Sequence, residues 1–279
     1  MSKKSYNKNK NCHSLRSFGR ANGAPVCWAL WLRYYRSIVR ILTVILFFPL
    51  TALAGESSLV KQFFGQDGIK NKEEVYAGEM LEHYLDKPTL GETLPKGIEV
   101  SPRALERNPQ RAIYAVLLSK DGKSQDWYIY LVNDQNKWKI SAVRNLALSG
   151  LFFMVLQEVQ SKDNRSKEEE HQYQNMLLTL KLDSELKEFL HENIDSLNAI
   201  ALEAKTSQEN ATESAKHLHL NFVGYESTNG IVDVNIGGIL DNSVGYLFVP
   251  TGTEVPKMSD DNYIYIEHIT GNWYVYKAT

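Results

Sequence analysis

Beyond residue 54 the chain has no cysteine; its two, Cys12 and Cys27, both lie near the amino terminus. The body from Gly55 onward is thereby excluded from structural disulfides, thiolate nucleophiles and cysteine metal clusters. The first 54 residues lack acid instead: they hold nine Lys or Arg and no Asp or Glu. The remaining 225 residues carry 22 basic and 33 acidic side chains, a net charge of −11. A general nucleic-acid binder needs a basic footprint, so the acidic body argues against that class of partner. The same charge serves solubility. Glycine and proline, 17 and 8 in 279 residues, are too scarce for a fibrous or disordered chain. The length allows one large or two small domains.

Long hydrophobic runs are also missing. The run Ile41–Ala54 has 14 residues and follows Arg33, Arg36 and Arg40. As a helix it rises about 21 Å, short of the roughly 30 Å hydrocarbon core. It ends in Ala52-Leu53-Ala54, a small-x-small site. Basic lead, short apolar run and small-residue site predict a signal peptide over 1–54, cleaved after Ala54. Export to a periplasm or to the extracellular space follows. The alternative is an uncleaved membrane anchor over 38–54, the one route by which the chain would meet a membrane. No cysteine follows the run, so a lipid attachment site is absent.

Catalytic signatures are few. There is no Gly-x-Ser-x-Gly elbow, and Gly237-Gly238 lacks a phosphate-loop context. No cofactor is expected. His217-x-His219 on a strand would put both imidazoles on one face, but a metal needs at least a third ligand, from His268 or an acid. Surface or structural histidines are the simpler reading. His83 sits beside Glu79, Glu82 and Asp86; His83 or His268 with a nearby carboxylate would be a candidate general base. The helix around His83 is amphipathic, which puts these groups on its wet side. The balance favours a non-catalytic protein.

What is present reads as α+β. The first module, 55–145, opens with a short helix carrying Leu59, Val60, Phe63 and Phe64, then a second over 72–85. Four prolines between 88 and 110 mark loop and short extended pieces. Strands follow at 111–118, 127–132 and 137–143. Trp127, Ile129 and Leu131 share one face, and Tyr128, Tyr130 and Val132 the other; both faces look covered. Residues 146–175 form a connector: an apolar stretch, Asn145–Gln160, expected to be a buried helix, then a polar stretch, 161–175, that continues as an exposed helix or forms a hinge. The second module, 176–279, has a helix from Asp183 with Leu186, Phe189, Leu190, Ile194, Leu197 and Ile200 on one side. A loop or frayed end is expected at 205–216. Strands then span 217–225, 231–236, 244–249, 263–269 and 273–277, with a hairpin signal at Asn229-Gly230.

Two segments echo one another. Asp126–Ile140 and Asn262–Val275 each have a Tyr-Ile-Tyr strand, a short turn and a Trp-x-(Ile/Val) strand, as a duplication would leave. Helices followed by a curved antiparallel sheet ending in such a hairpin resemble the nuclear-transport-factor-2-like (NTF2-like) or cystatin-like class. The resemblance implies two packed modules of helices against a curved sheet, with a pocket between sheet and helices. The echoed hairpins carry Tyr128, Tyr130, Tyr263, Tyr265, Tyr274 and Tyr276, rigid amphipathic side chains suited to a protein or apolar-ligand surface. The expected function is an exported, non-catalytic binding or interaction protein for an unidentified protein or small apolar ligand. The alternative is an exported small-ligand carrier or enzyme with a pocket in a cone-like domain.

Overall fold

Two antiparallel sheets, each backed by helices, make up the described residues, 55–239 and 241–279 of a computed structural model. The expected signal peptide, its expected cleavage site and the alternative anchor lie outside the described residues.

The first sheet is a meander of β1 (Glu99–Arg107), β2 (Arg111–Lys120), β3 (Lys123–Asp134) and β4 (Lys137–Arg144), in the order β1-β2-β3-β4. Two of its three hairpins, β2–β3 and β3–β4, close on paired left-handed residues, Asp121 with Gly122 and Gln135 with Asn136. That geometry matches the twist of the flanking strands. Strand alternation then divides the side chains. Ile129, Leu131 and Ile140 face a core shared with α1 (residues 55–63), α2 (Lys72–Val75) and α3 (Gly78–His83). Buried Glu56 of α1 accepts hydrogen bonds from Arg107 (2.8 Å) and Tyr114 (2.9 Å), fastening that helix to the sheet. Tyr128, Tyr130, Ile113 and Ala142 face the other way, into a core shared with the second sheet.

A short helix, α4 (Leu90–Thr93), lies against the end of α1. Two helices connect the sheets, α5 (Gly150–Gln160) and α6 (Lys167–Thr179). Three more, α7 (Asp183–Glu192), α8 (Ile194–Ala204) and α9 (Gln208–Lys216), contribute Leu186, Leu190, Leu197, Ile200, Ala211 and Ala215 to the second core. The second sheet contains β5 (Phe222–Tyr225), β6 (Val232–Ile239), β7 (Asn242–Phe248), β8 (Tyr265–Thr270) and β9 (Trp273–Ala278). Its order is β5-β6-β7-β9-β8, so the last strand inserts beside β7. The loop before β8 is held by the first sheet: Arg111 donates to the Met258 carbonyl, Tyr130 to those of Ser259 and Ile264, and Arg144 to that of Asp260.

Several expectations need correction. The helix expected over 72–85 is broken, because Tyr76 bridges Ile140 and the Ala77 N–H donates to the Ile140 carbonyl at 2.9 Å. The proline-rich stretch holds a full strand, β1; Pro102 is tolerated because β1 is an edge strand. Residues 208–216 are helical, with Ser207 capping α9 and two alanines as its buried face, too small to register as an apolar stripe. The strand expected from His217 begins at Phe222. The α5 helix is not a buried connector: Phe152 and Val159 are buried, while Leu151, Phe153 and Met154 are exposed.

Glycine substitutions test the packing of the first core's helices. A Cβ on Gly91 of α4 would stand 2.1 Å from the Gly65 carbonyl oxygen, whereas one on Gly150 would meet nothing within 4 Å. Gly91→Ala is expected to lower stability by about 1–3 kcal/mol through forced displacement of α4. Gly150→Ala is expected to raise it by about 0.5–1 kcal/mol through helix propensity and unfolded-chain entropy. Urea denaturation of the two variants checks both signs.

Candidate functional site

On β9 the side chains of Trp273, Val275 and Lys277 alternate onto one face, and all three are buried. A buried ammonium costs several kcal/mol unless it is paired and hydrogen-bonded. Lys277 is paired twice, with Asp183 Oδ1 at 2.8 Å and Asp126 Oδ2 at 3.1 Å. Asp126 belongs to β3 of the first sheet; Asp183 is the first residue of α7. The same Asp126 oxygen accepts the Asp183 backbone N–H at 2.8 Å. A carboxylate from the first sheet thus satisfies a free donor at the start of a helix in the second half. Tyr128 donates to Asp183 Oδ1 at 2.7 Å, and its ring stacks on that of Tyr265 with centroids 5.1 Å apart. Tyr265 in turn donates to Glu267 at 2.8 Å. Glu267 also takes a two-pronged pair from Arg103 of β1 (both 2.8 Å) and an ion pair from Lys187 of α7 (2.7 Å).

The electrostatics follow from one cation between two anions. Burial pulls the Lys277 ammonium down, but the charges of Asp183 and Asp126 outweigh it, so its pKa stands above the ordinary lysine value. Burial pushes the Asp183 carboxyl up to about 6 against the pull of Lys277, and the Asp126 charge adds to the rise. One ammonium cannot fully compensate both carboxylates, and the more deeply buried one carries the deficit. Asp183 Oδ2 is buried with no hydrogen-bond partner among the described residues. Burial and the neighbouring Asp183 hold the Tyr128 phenol well above its usual range.

Lys277 and Asp126 form part of the wall of a cleft of about 730 Å³, a volume within the range of small-molecule sites. The rest of the wall comes from the β2–β3 turn, Leu94 and Ile98, residues 145–148, Phe153 of α5 and residues 179–182. Beside it the apolar face of α5 is open: relative exposure is 59% at Leu151, 49% at Phe153 and 69% at Met154. Leu177 and Leu180, in and just after α6, are exposed too.

The residues nominated from sequence fall elsewhere. His83 is exposed and lies 3.9 Å from Glu82, beyond hydrogen-bond reach. His268 is exposed; its Nε2 is 2.8 Å from the Gly271 carbonyl and its ring packs on Tyr274. His217 and His219 do not share a strand face: the first caps the end of α9, and the second adopts a left-handed backbone (φ 59°). His219 lies near His171, ring centroids 5.8 Å apart. Burial and His171 hold its pKa below the usual histidine value. Among the described residues no three His, Cys, Asp or Glu side chains cluster to hold a metal. Tyr128, Tyr130, Tyr265 and Tyr276 are buried, their hydroxyls bonded internally, and Tyr263 and Tyr274 are half-buried. Those four therefore line the seam between the sheets or the sheet interior, not a free aromatic face.

Sequence reasoning passed over Lys277, Asp126 and Asp183. The signal was present: Lys277 continues the inward face of Trp273 and Val275, and an inward charge on a strand demands partners. Comparison with known proteins adds no constraint: no family model, curated protein or solved structure matches the chain.

Two predictions arise here. Lys277→Met leaves two buried carboxylates unpaired and is expected to cost about 3–5 kcal/mol. Adding Asp126→Asn and Asp183→Asn is expected to recover most of it, read by denaturant midpoints at pH 7. The second concerns Asp233, whose carboxyl burial pushes up to about 6 even though Tyr276 donates to it at 2.9 Å. A raised carboxyl favours folding while protonated, so its contribution is complete below its unfolded pKa and is lost as pH rises to about 6. Asp233→Asn keeps the acceptor for Tyr276 and removes the charge. It is expected to match wild type near pH 4 and to exceed its stability by about 2–3 kcal/mol near pH 7.5. Urea titrations at the two pH values measure the difference.

Proposed function

We propose that this chain is an exported, non-catalytic binding protein whose working surface is the cleft together with the exposed apolar ridge of α5. The observation that carries the reading is Phe153, which belongs to both features, with Leu151 and Met154 exposed in the same helical turn. Single exposed apolar side chains are ordinary, but a cluster beside a cavity marks a binding surface. The non-catalytic part rests on the cleft's buried charges. Lys277, Asp126 and Asp183 bind one another, which stabilises the wall and leaves the ammonium protonated. Asp183, the carboxyl of this group that burial pushes up to about 6, does not itself line the cleft, so it meets no ligand there with which to exchange a proton.

The export part rests on the basic lead and apolar run of residues 1–54, with anchoring through 38–54 as its alternative. We read the fold as two packed modules, 55–145 and 176–279, joined by 146–175 and akin to the NTF2-like or cystatin-like cones. Its support is the repeated order of helices and then an antiparallel sheet, and the echoed hairpins β3–β4 and β8–β9.

The test is native mass spectrometry of the protein from the exported fraction of its own cell, wild type against Phe153→Ser/Met154→Ser. Wild type is expected to carry a bound species that denaturation releases, and the variant to lose most of it while keeping its circular dichroism. Equal occupancy in both proteins, or turnover of the bound species, would overturn the reading.

A further inference from the structure

Charge is distributed unevenly around the cleft. The body as a whole is strongly acidic, yet the cleft wall carries Lys120, Lys123, Lys181 and Lys277 against Asp121 and Asp126. Lys277 is neutralised within the seam by Asp126 and Asp183. The remaining lysines stand on two separate walls, Lys120 and Lys123 at the β2–β3 turn and Lys181 between α6 and α7. Lys120 donates to the Lys96 backbone carbonyl, which fixes its ammonium beside the β2–β3 turn. The Lys181 ammonium is 3.9 Å from Glu185, a distance at which an exposed pair contributes little. The rest of the lining joins apolar side chains, Leu94, Ile98, Leu146, Leu148, Phe153 and Leu180 among them, to five uncharged polar ones.

We infer that the cleft takes a single long-chain amphiphile with an anionic head, of the fatty-acid class, its carboxylate at the rim lysines 120, 123 and 181 and its chain against Phe153 and Leu148. The inference rests on the binding reading above and supplies its ligand chemistry. A cationic rim on an acidic body attracts anions and repels cations by the same field. An apolar lining rewards a hydrocarbon chain at about 0.8 kcal/mol for each buried methylene. The volume, about 730 Å³, suits a small molecule. A stable protein partner would instead bury roughly 1,200–2,000 Å² in total. Because Lys277 is already shared between two carboxylates, the wall there offers no net positive charge. The head is thereby directed to the rim.

The test is equilibrium binding of palmitate, hexadecanol and hexadecyltrimethylammonium, each below its micellar threshold, to the full-length protein. Wild type, Lys123→Glu/Lys181→Glu and Phe153→Ser are compared. Palmitate is expected to bind one-to-one, with hexadecanol and the cation weaker by about tenfold or more. The charge-reversal variant is expected to lose about tenfold for palmitate and little for hexadecanol, and added salt to weaken palmitate in wild type alone. Phe153→Ser is expected to weaken both. Equal binding of palmitate and hexadecanol would overturn the anionic head and leave the binding reading standing. Failure of all three probes, with Phe153→Ser/Met154→Ser still stripping a species from the exported protein, would overturn the amphiphile and not the binding surface. Capture by anionic phospholipid vesicles without uptake of free palmitate would overturn it in favour of membrane docking.

Discussion

The Lys277 ammonium is the point on which the arrangement of the two sheets depends. It sits on β9, pairs with Asp126 of β3 and Asp183 of α7, and is nearly excluded from solvent. Neither partner is near it in sequence; Asp126 is 151 residues away. A buried cation tolerates little displacement of its anions, since each lost pairing leaves a desolvated charge. Fixing Lys277 therefore fixes the register of β9 against the first sheet. Asp126 then meets the first N–H of α7, and Tyr128 reaches Asp183 while its ring stacks on Tyr265. Glu267 extends the ionic seam to Arg103 and Lys187. Such a seam specifies one mutual placement more than it adds net stability, because an apolar replacement of matching shape would cost less desolvation.

The cleft is a consequence of that seam. Asp126 and Lys277 lie on its wall, and the segment that leads into α7 supplies Leu180, Lys181 and Leu182. Once Asp126 holds the start of α7 against β3, the chain from Thr179 onward must run past the β2–β3 turn, and a gap remains between them. The connecting segment 145–148 and Phe153 of α5 close one side of the gap. A wall whose charges are paired with one another and an apolar helix face then border the same space. Pre-organisation of this kind lowers the ordering cost of binding.

Much of the fold was legible because it rests on local periodicity. The alternation of Trp127–Val132 correctly implied a strand covered on both faces, and the turns at 121–122, 134–136 and 270–272 lie where their residues indicated. The failures have separate physical causes. Strand β1 was hidden by Pro102, which an edge position excuses. Helix α9 buries only alanines on its inner face, so no large apolar stripe betrays it. Helix α5 is apolar enough to be taken as core, and no local pattern distinguishes an exposed apolar face from a buried one. The site itself was out of reach for a further reason. Its three charged residues come from β3, α7 and β9, and only the packing of the sheets brings them together.

The echoed hairpins explain why their tyrosines are largely buried while the apolar side chains of α5 stay exposed. Hairpin β3–β4 presents Tyr128 and Tyr130 from one face of β3, whereas β8–β9 divides its tyrosines, Tyr265 on the face of Lys277 and Tyr274 and Tyr276 on the other. In the folded chain the two aromatic faces meet each other: Tyr128 stacks on Tyr265, and Tyr130 donates to the carbonyl of Ile264. Trp273 donates to Asn198 of α8, while Trp138 packs toward the core shared with α1. Two like aromatic surfaces on one chain are complementary in shape and polarity, because stacked or edge-on rings and buried hydroxyls satisfy each other. Once they are joined, neither remains for a partner. Among the described residues the apolar surface left open on Leu151, Phe153 and Met154 belongs to α5, in the connector between the hairpins.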